Sequence, residues 1–276
     1  MTLPLSIIIL LLLALPAFGQ DGGSRTYTPP SDSARLAQDS IMEVAHRAIA
    51  RDSTLIEDYQ KILTVLKARR RYDEELMLAE QMVQANPSSA IAYFSHGDAQ
   101  LDNVTPELAV GSLSRALLIQ PTFVRARVAL AEAYMMMKSY DTALAHLDTA
   151  LLHNPRYAQA HIQRASLLTQ LGREPEALEN YRAASELLPD SFTHWLRLGR
   201  LLVKIGQYDE AIDALEYATV LNTESSDAYY FHAEALAGAG RKDEAIRAYN
   251  DFWMRFPRDH RALEAERIAR EMAGQP

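Results

Sequence analysis

The chain has 276 residues, and its 28 lysines and arginines against 36 aspartates and glutamates give a net charge of −8. This acidic balance argues against a general nucleic-acid-binding protein, which would carry a basic face. The sequence contains no cysteine, which excludes disulfides, thiolate metal sites and cysteine nucleophiles, and its 11 glycines and 12 prolines are too few for a collagenous or low-complexity chain.

The first element is a short apolar segment at the amino terminus. Leu5 to Leu15 is an 11-residue stretch of Leu, Ile and Ala with one Ser and no charge. Pro16 ends the stretch, and Ala17 and Gly19 place small residues at the −3 and −1 positions of a cleavage site. The pattern resembles a secretory signal peptide over residues 1–19, although the usual Lys or Arg before the apolar stretch is missing.

The predicted signal peptide places the mature protein outside the cytoplasm, in the bacterial periplasm or secreted into the medium. The apolar stretch is shorter than the roughly 20 residues of a spanning helix, so we expect no stable membrane insertion after cleavage. An uncleaved segment that anchors the protein in the membrane is the alternative, and a buried N-terminal helix is a further one.

The next two segments lead into the main part of the chain. Residues 20–33 are rich in Gly, Pro, Ser and Thr, a composition typical of a flexible linker. Residues 34–55 are predicted to form an N-terminal helix that packs on the segment after it.

The rest of the chain is an internal repeat with a period of about 34 residues. From residue 31 to residue 275 there are seven prolines, and five of them share one phase of this period. Glycines and alanines recur with the same period. The members of these series are Pro87, Pro121, Pro155, Pro189 and Pro257, then Gly172, Gly206 and Gly240, and then Ala109, Ala143, Ala177, Ala211 and Ala245. Internal repetition at this length predicts an array of stacked units.

Each unit is predicted to contain two helices. Residues 192–205 form the first helix of one unit, and Gly206 ends it in a left-handed cap conformation. Tyr208-Asp209-Glu210 opens the second helix, which runs to Leu221, with acidic residues at its positive N-terminal end. Small residues at fixed positions would let the paired helices approach closely. They are Gly97, Ala131, Ala165, Gly199 and Ala233 in one series, and Ala116, Ala150, Ala184 and Ala218 in another.

Two motifs carry a resemblance to a known family. Trp195-x-x-Leu198-Gly199 and then Ala211-x-x-x-Leu215 are similar to the tetratricopeptide repeat. The resemblance implies an all-α fold, a right-handed α-solenoid of about six 34-residue helix-turn-helix repeats. The repeats span 56–89, 90–123, 124–157, 158–191, 192–225 and 226–257, and residues 258–276 would form a C-terminal capping helix and tail.

The end repeats depart from the pattern, as capping repeats do. Glu75 stands where the alanine series continues in the later repeats, and Phe252 replaces an alanine in the last repeat. We expect a capping helix over His260–Met272, with Asp259 as its N-cap residue and with Phe252 and Trp253 beneath it.

The sequence offers no catalytic or metal-binding pattern. Its eight histidines form neither an HExxH motif nor an i,i+4 pair, and it contains no Gly-rich phosphate loop and no G-x-S-x-G serine. His96 and His232 occupy equivalent repeat positions, which favours helix packing over metal binding. We therefore expect a protein that is not an enzyme and that uses no cofactor and no metal.

The family resemblance implies a concave groove, lined by the first helices, that binds an extended peptide or a helix of a partner. Met135 and Met136 would offer adaptable, polarizable side chains there. Arg200 and Lys204, together with Arg197, could clamp a carboxylate of the partner. The groove residues assigned to partner binding are Phe94, Arg125, Glu132, Met135, Met136, Ile162, Leu196, Arg200, Lys204 and Tyr230.

Simpler interpretations exist for these features. Met137 beside the pair fits a gap-filling role in the core, and the three cations fit a solvated helix face. The Lys–Asn clamp of some co-chaperone members is absent, so a chaperone-tail adaptor is not predicted. The basic run 67–71 is followed directly by Asp73-Glu74-Glu75, which favours local neutralisation over a nucleic-acid or anionic-lipid patch.

The sequence thus predicts an exported, non-catalytic scaffold that binds a protein or peptide partner in the groove, with no nucleic-acid partner. The alternative is a structural or assembly subunit of a cell-envelope complex that uses its convex face or its ends.

Overall fold

The computed structural model describes residues 56–274, apart from the side chains of residues 57 and 58. The predicted signal peptide, linker and helix over 34–55 lie outside the described residues. The thirteen described helices are α1 (Ile56–Ala68), α2 (Tyr72–Ala85), α3 (Ala90–Asp102), α4 (Pro106–Ile119), α5 (Val124–Met136), α6 (Tyr140–His153), α7 (Ala158–Gln170), α8 (Glu174–Leu187), α9 (Phe192–Lys204), α10 (Tyr208–Leu221), α11 (Ser226–Gly238), α12 (Lys242–Arg255) and α13 (Ala262–Ala273). This part of the chain contains no strand, and the predicted all-α repeat class is confirmed.

The helices alternate in length with great regularity. Each of the six first helices, the odd-numbered α1 to α11, has 13 residues, and each of the six second helices, the even-numbered α2 to α12, has 14. The last helix, α13, has 12 residues and no partner helix after it within the described part of the chain. Between residues 56 and 274, no helix is both long and apolar enough to cross a membrane.

Every first helix ends in the same left-handed turn. Gly206 has φ of 78°, its N–H donates to the Val203 carbonyl at 3.1 Å, and the Gln207 N–H donates to the Leu202 carbonyl at 2.9 Å. These two bonds form a Schellman cap, as predicted for this glycine. The equivalent positions in all six repeats have positive φ: Arg70, Val104, Lys138, Gly172, Gly206 and Gly240. The glycine series revealed only the last three of them.

The chain divides into two compact units, which are described separately. The first unit reaches His146 and contains α1–α5 and the start of α6. One of its hydrophobic clusters joins α1, α2 and α3 around Leu66, Leu78 and Met82, which are fully buried. A second cluster joins α3, α4 and α5 around Leu113. A Cβ on Gly97 would lie 2.5 Å from Leu113 Cγ, so this glycine permits the close approach of α3 and α4.

The second unit begins at Leu147 and contains the rest of α6 and α7–α13. Ala177, Ala184, Ala211 and Ala218 are fully buried there, as the small-residue series predicts. A Cβ on Gly199 would lie 2.4 Å from Leu215 Cγ, so α9 and α10 also depend on a glycine for their separation.

The second unit closes under α13. Phe252 is fully buried and clusters with Ala265 and Ala269 of α13, and Trp253 packs against the same cluster, as expected for a capping helix. The predicted start of this helix is wrong, because α13 begins at Ala262 and its N-cap residue is Arg261. Asp259 lies earlier, in the preceding turn, where its carboxylate accepts the Arg261 N–H at 2.9 Å.

Candidate functional site

The first unit carries five of the predicted groove residues. Phe94 is buried in the cluster of α3–α5 and packs on Phe123, with ring centroids 5.2 Å apart. The exposed Arg125 places its guanidinium 4.7 Å from the centre of the Phe94 ring. Phe94 therefore supports this surface from below, and Arg125 presents a positive charge above it.

The other three residues of this group lie on α5. Glu132 and Met136 are exposed and Met135 is half-buried. Met137 is also exposed, and its N–H caps α5 by donating to the Ala133 carbonyl at 3.1 Å. The interpretation of Met137 as a core gap-filler is therefore wrong, because its backbone belongs to the cap and its side chain reaches solvent.

The second unit contains a cavity of about 490 Å³ on its first helices. Arg200 and Lys204 both line it, together with Arg197, and all three cations come from α9. The remaining lining residues are Ser166 and Thr169 of α7, Leu201 of α9, Phe231 of α11, and Tyr181 of α8. The predicted cationic cluster is thus part of a cavity with apolar and aromatic side chains in its wall.

Two of the three cations that line the cavity, Arg200 and Lys204, form ion pairs on the surface. Lys204 Nζ lies 2.9 Å from Glu174 Oε1, and this hydrogen bond holds the pKa of Glu174 below its ordinary value. Arg200 Nη1 lies 4.0 Å from Asp227 Oδ2, and the guanidinium stacks over the Phe231 ring at 4.7 Å. Exposed pairs contribute little stability, so a partner carboxylate could replace Glu174 or Asp227 at small cost.

The other predicted residues of the second unit lie outside the cavity lining. Ile162 is buried and Leu196 is half-buried. Tyr230 packs its ring 5.3 Å from that of Phe252, and the Arg261 guanidinium covers it at 4.6 Å. Tyr230 therefore takes part in the packing of α13, and this burial raises the pKa of its hydroxyl.

Two aromatic residues of the cavity were missed by the sequence analysis. Phe231 occupies the repeat position of Arg197 in the following repeat, and this relation could have identified it. Tyr181 also lines the cavity, although it belongs to the second helix α8. It was missed because only residues of the first helices were considered.

The histidines at equivalent positions make packing contacts. The ring nitrogens of His96 lie 3.3 Å from Ser112 Oγ and 3.3 Å from Gln100 Nε2, and burial lowers the pKa of the imidazole. Burial also lowers the pKa of His232. The contacts of His96 and the burial of both rings agree with the helix-packing interpretation.

One group of acids among the described residues is close enough to hold a metal ion. Oxygens of Glu75, Asp98 and Asp102 lie within 4.8 Å of one another. Lys67 Nζ lies 2.8 Å from Asp98 and 2.5 Å from Asp102, so the ammonium already provides a cation there. The expected neutralisation of the basic run by residues 73–75 therefore does not extend to Lys67, which pairs with α3 instead, whereas Arg71 does pair with Glu74, at 2.5 Å.

Two-helix repeats of constant length, closed by a single last helix, define a helical-repeat scaffold. Three family models, each described as a tetratricopeptide repeat, match residues 105–171, 158–201 and 196–252. The chain belongs to the tetratricopeptide repeat proteins, whose fold indicates a protein–protein interaction scaffold and which are generally non-catalytic. No protein of curated function matches the sequence.

Solved structures share the fold. The TPR protein YrrB, described as having an unusual peptide-binding site, is 20% identical, with a TM-score of 0.60 over 68% of this chain and 97% of its own. TTC0263 of Thermus thermophilus, described as a thermophilic TPR protein, is 25% identical, with a TM-score of 0.56 over 66% of this chain and 99% of its own. PilF of Pseudomonas aeruginosa is 15% identical, with a TM-score of 0.65 over 77% of this chain and 97% of its own.

Proposed function

We propose that this protein is an exported, non-catalytic scaffold that binds a partner peptide or helix against its first helices. The observation that carries the proposal is the cavity of the second unit, where three cations of α9 line one space of about 490 Å³. The apolar segment before residue 20 supports export, and the peptide-binding site named for YrrB supports a peptide as the occupant.

The cavity suits a segment that carries both an apolar and an acidic side chain. Leu201, Tyr181 and Phe231 would bury the apolar group, and aromatic walls of this kind stabilise a bound segment at low entropic cost. Arg200 and Lys204 would exchange their exposed ion pairs with Asp227 and Glu174 for pairs with the partner carboxylate. Guanidinium and ammonium groups bind carboxylates through charge-assisted hydrogen bonds.

The test is affinity capture from the envelope fraction of the native host, with the chain from Gln20 as bait. The variant Arg200→Glu plus Lys204→Glu should lose a discrete partner, because it places two acids where the partner carboxylate would bind. Arg156→Glu plus Lys242→Glu is a matched control, since both side chains are exposed in the same unit and outside the cavity. Retention of the partner by the cavity variant, with unchanged helicity, would contradict the proposal.

A second function is favoured by a separate observation on the second helices. Leu152, Val220 and Met254 of the second unit share one repeat position, and each is between 61% and 79% exposed. Only Glu186 interrupts the series. Exposed apolar residues mark an interaction surface when neighbouring repeats bring them into one continuous patch. They support the alternative of a structural or assembly subunit that uses its second-helix face.

This alternative predicts defined oligomers of the purified chain. Leu152→Glu plus Val220→Glu should convert them to monomers in analytical ultracentrifugation, because a buried charge opposes association. Leu263→Glu, at another exposed leucine, is the control and should leave the oligomers intact. A wild-type chain that is monomeric at all concentrations would contradict self-assembly.

A further inference from the structure

The first repeat contains an acid in a place that the other repeats give to alanine. Glu75 lies on α2 at the position of Ala109, Ala143, Ala177, Ala211 and Ala245, and only 3% of its surface is exposed. Its Oε2 atom is buried and finds no hydrogen-bond partner among residues 56–274. An ionised carboxylate in such a place is strongly disfavoured, because burial removes its hydration and nothing replaces it.

The groups that face Glu75 do not supply the missing positive charge. Lys67 of α1 makes its ion pairs with Asp98 and Asp102 of α3, and both aspartates lie within 4.8 Å of the Glu75 oxygens. Arg125 of α5 lines the same small cavity as Glu75. Its guanidinium stacks on Phe94, whose ring lies 4.7 Å away.

The charged residues around the start of α2 make their hydrogen bonds with groups other than Glu75, and Nη1 of the N-cap residue Arg71 has no partner among the described residues. Arg71 forms a two-bond pair with Glu74, at 2.5 and 2.6 Å. Asp73 accepts a bond from the Asn103 amide at 3.4 Å. At the junction of α1, α2 and α3, three carboxyl groups therefore share one ammonium group, and a proton on Glu75 would leave the two aspartates as the only negative charges beside Lys67.

We propose that the first repeat is a proton-responsive element, in which Glu75 takes up a proton as the pH falls and α1 and α2 then pack more tightly on α3. The electrostatics agree with this geometry. Burial raises the pKa of Glu75 to about 7, Asp102 and Asp98 contribute to the rise, and Lys67 opposes them. In the unfolded chain the same carboxyl would titrate near its ordinary value of about 4.3.

The direction of the pH effect follows from linkage. Between about pH 4.3 and pH 7 the folded repeat binds the proton and the unfolded repeat does not, so its stability falls as the pH rises through this range. Above about pH 7 both forms are ionised and the dependence ends. For these two pKa values the opening equilibrium of α1 and α2 should differ about tenfold between pH 6 and pH 8.

Hydrogen exchange of the full chain tests this inference directly. After correction for the intrinsic exchange rate, amides of α1 and α2 should be about tenfold better protected at pH 6 than at pH 8. Glu75→Gln should be protected equally at both pH values, because the amide is neutral throughout. Glu75→Ala, which places the residue of the later repeats there, is a second neutral variant in case the first disturbs the fold. Glu80→Gln, on the exposed face of the same helix, should behave as the wild type.

Two outcomes of the exchange experiment would overturn the proposal. One is protection of α1 and α2 that does not change with pH in the wild type, or that changes with pH in Glu75→Gln as much as in the wild type. The other is protection by added Ca²⁺ or Mg²⁺ at pH 8 that is lost in Glu75→Gln, since the acids would then be balanced by a metal ion. A carboxyl carbon NMR titration of Glu75 should give a midpoint near 7, and a midpoint near the ordinary glutamate value would also reject the proposal.

Discussion

At the scale of single residues, the turn that ends each first helix is filled in two different ways. The later repeats use Gly172, Gly206 and Gly240 at the position of positive φ. The earlier repeats place side chains there, and Val104, with φ of 57°, is branched at its Cβ. A left-handed conformation costs a residue with a Cβ roughly 1–2 kcal/mol, and branching adds to the crowding.

Val104→Gly should therefore stabilise the protein by about 1 kcal/mol, because the side chain is 72% exposed and its removal sacrifices little burial. The midpoint of urea unfolding measures the change. Val220→Gly is the matched control, an equally exposed valine in the right-handed helix α10, and it should destabilise the protein by up to about 0.5 kcal/mol, because valine is itself a weak helix former. A lower midpoint for Val104→Gly would show that strain at this turn is absent.

Glu75 shows what single-residue patterns could not predict. The acids at 73–75 fit a helix start, and helix electrostatics explains such acids as exposed residues. In the structure Asp73 is exposed and Glu75 is buried, because the face of α2 that bears residue 75 packs against the neighbouring helices. The acids at 73–75 do not by themselves show which one is buried, but the alanines that the later repeats place at the position of Glu75 were a signal for it.

At the scale of helices, the packing of α13 on the rest of the second unit depends on one arginine, Arg261. Arg261 forms ion pairs at 2.8 Å with Asp259 and with Asp227 of α11, and its guanidinium lies 4.6 Å from the ring centre of Tyr230. Its hydrogen bonds hold the pKa of Asp259 well below the ordinary value. The ionised Asp259 carboxylate therefore contributes its full share to the stability of the folded protein above about pH 4, and this share decreases only in stronger acid.

Arg261→Met should destabilise the packing of α13 by about 1.5–3 kcal/mol, because it removes hydrogen bonds to charged partners but keeps a long apolar side chain. Faster hydrogen exchange confined to α13 and the end of α12 is the expected result. Arg267→Met, at an exposed arginine of the same helix, should change exchange very little. If the two variants behaved alike, Arg261 would have no special role in holding the helix.

The helices were predictable to within a few residues, and the cavity only in part. Repeats of this kind pack on their neighbours, so turn residues and small residues recur with the period and reveal the helix ends. The burial of Phe94 and Ile162 was not predictable, because a repeat position fixes the face of a helix but not what covers it. The cavity likewise includes Tyr181 of a second helix, and only packing between helices brings this ring beside the first-helix residues of the lining.

At the scale of the whole molecule, the sequence pattern and the family determine the class, and individual side chains determine what could be bound. The tetratricopeptide fold indicates a protein-interaction scaffold, and a fold does not specify a partner. The features that distinguish this chain are local: the cationic cavity of α9, the exposed apolar series on the second helices, and the buried acid of the first repeat.

The constant helix lengths have a consequence for how such a chain can change over time. Because the six helix pairs between residues 56 and 255 have the same two lengths and the same turn between their helices, a segment as long as one repeat contains one whole packing unit. A duplication or deletion of one such segment, in phase, would join equivalent surfaces and leave both specialised end repeats in place. The chain can therefore vary in length by whole units without a change in how the neighbouring helices pack.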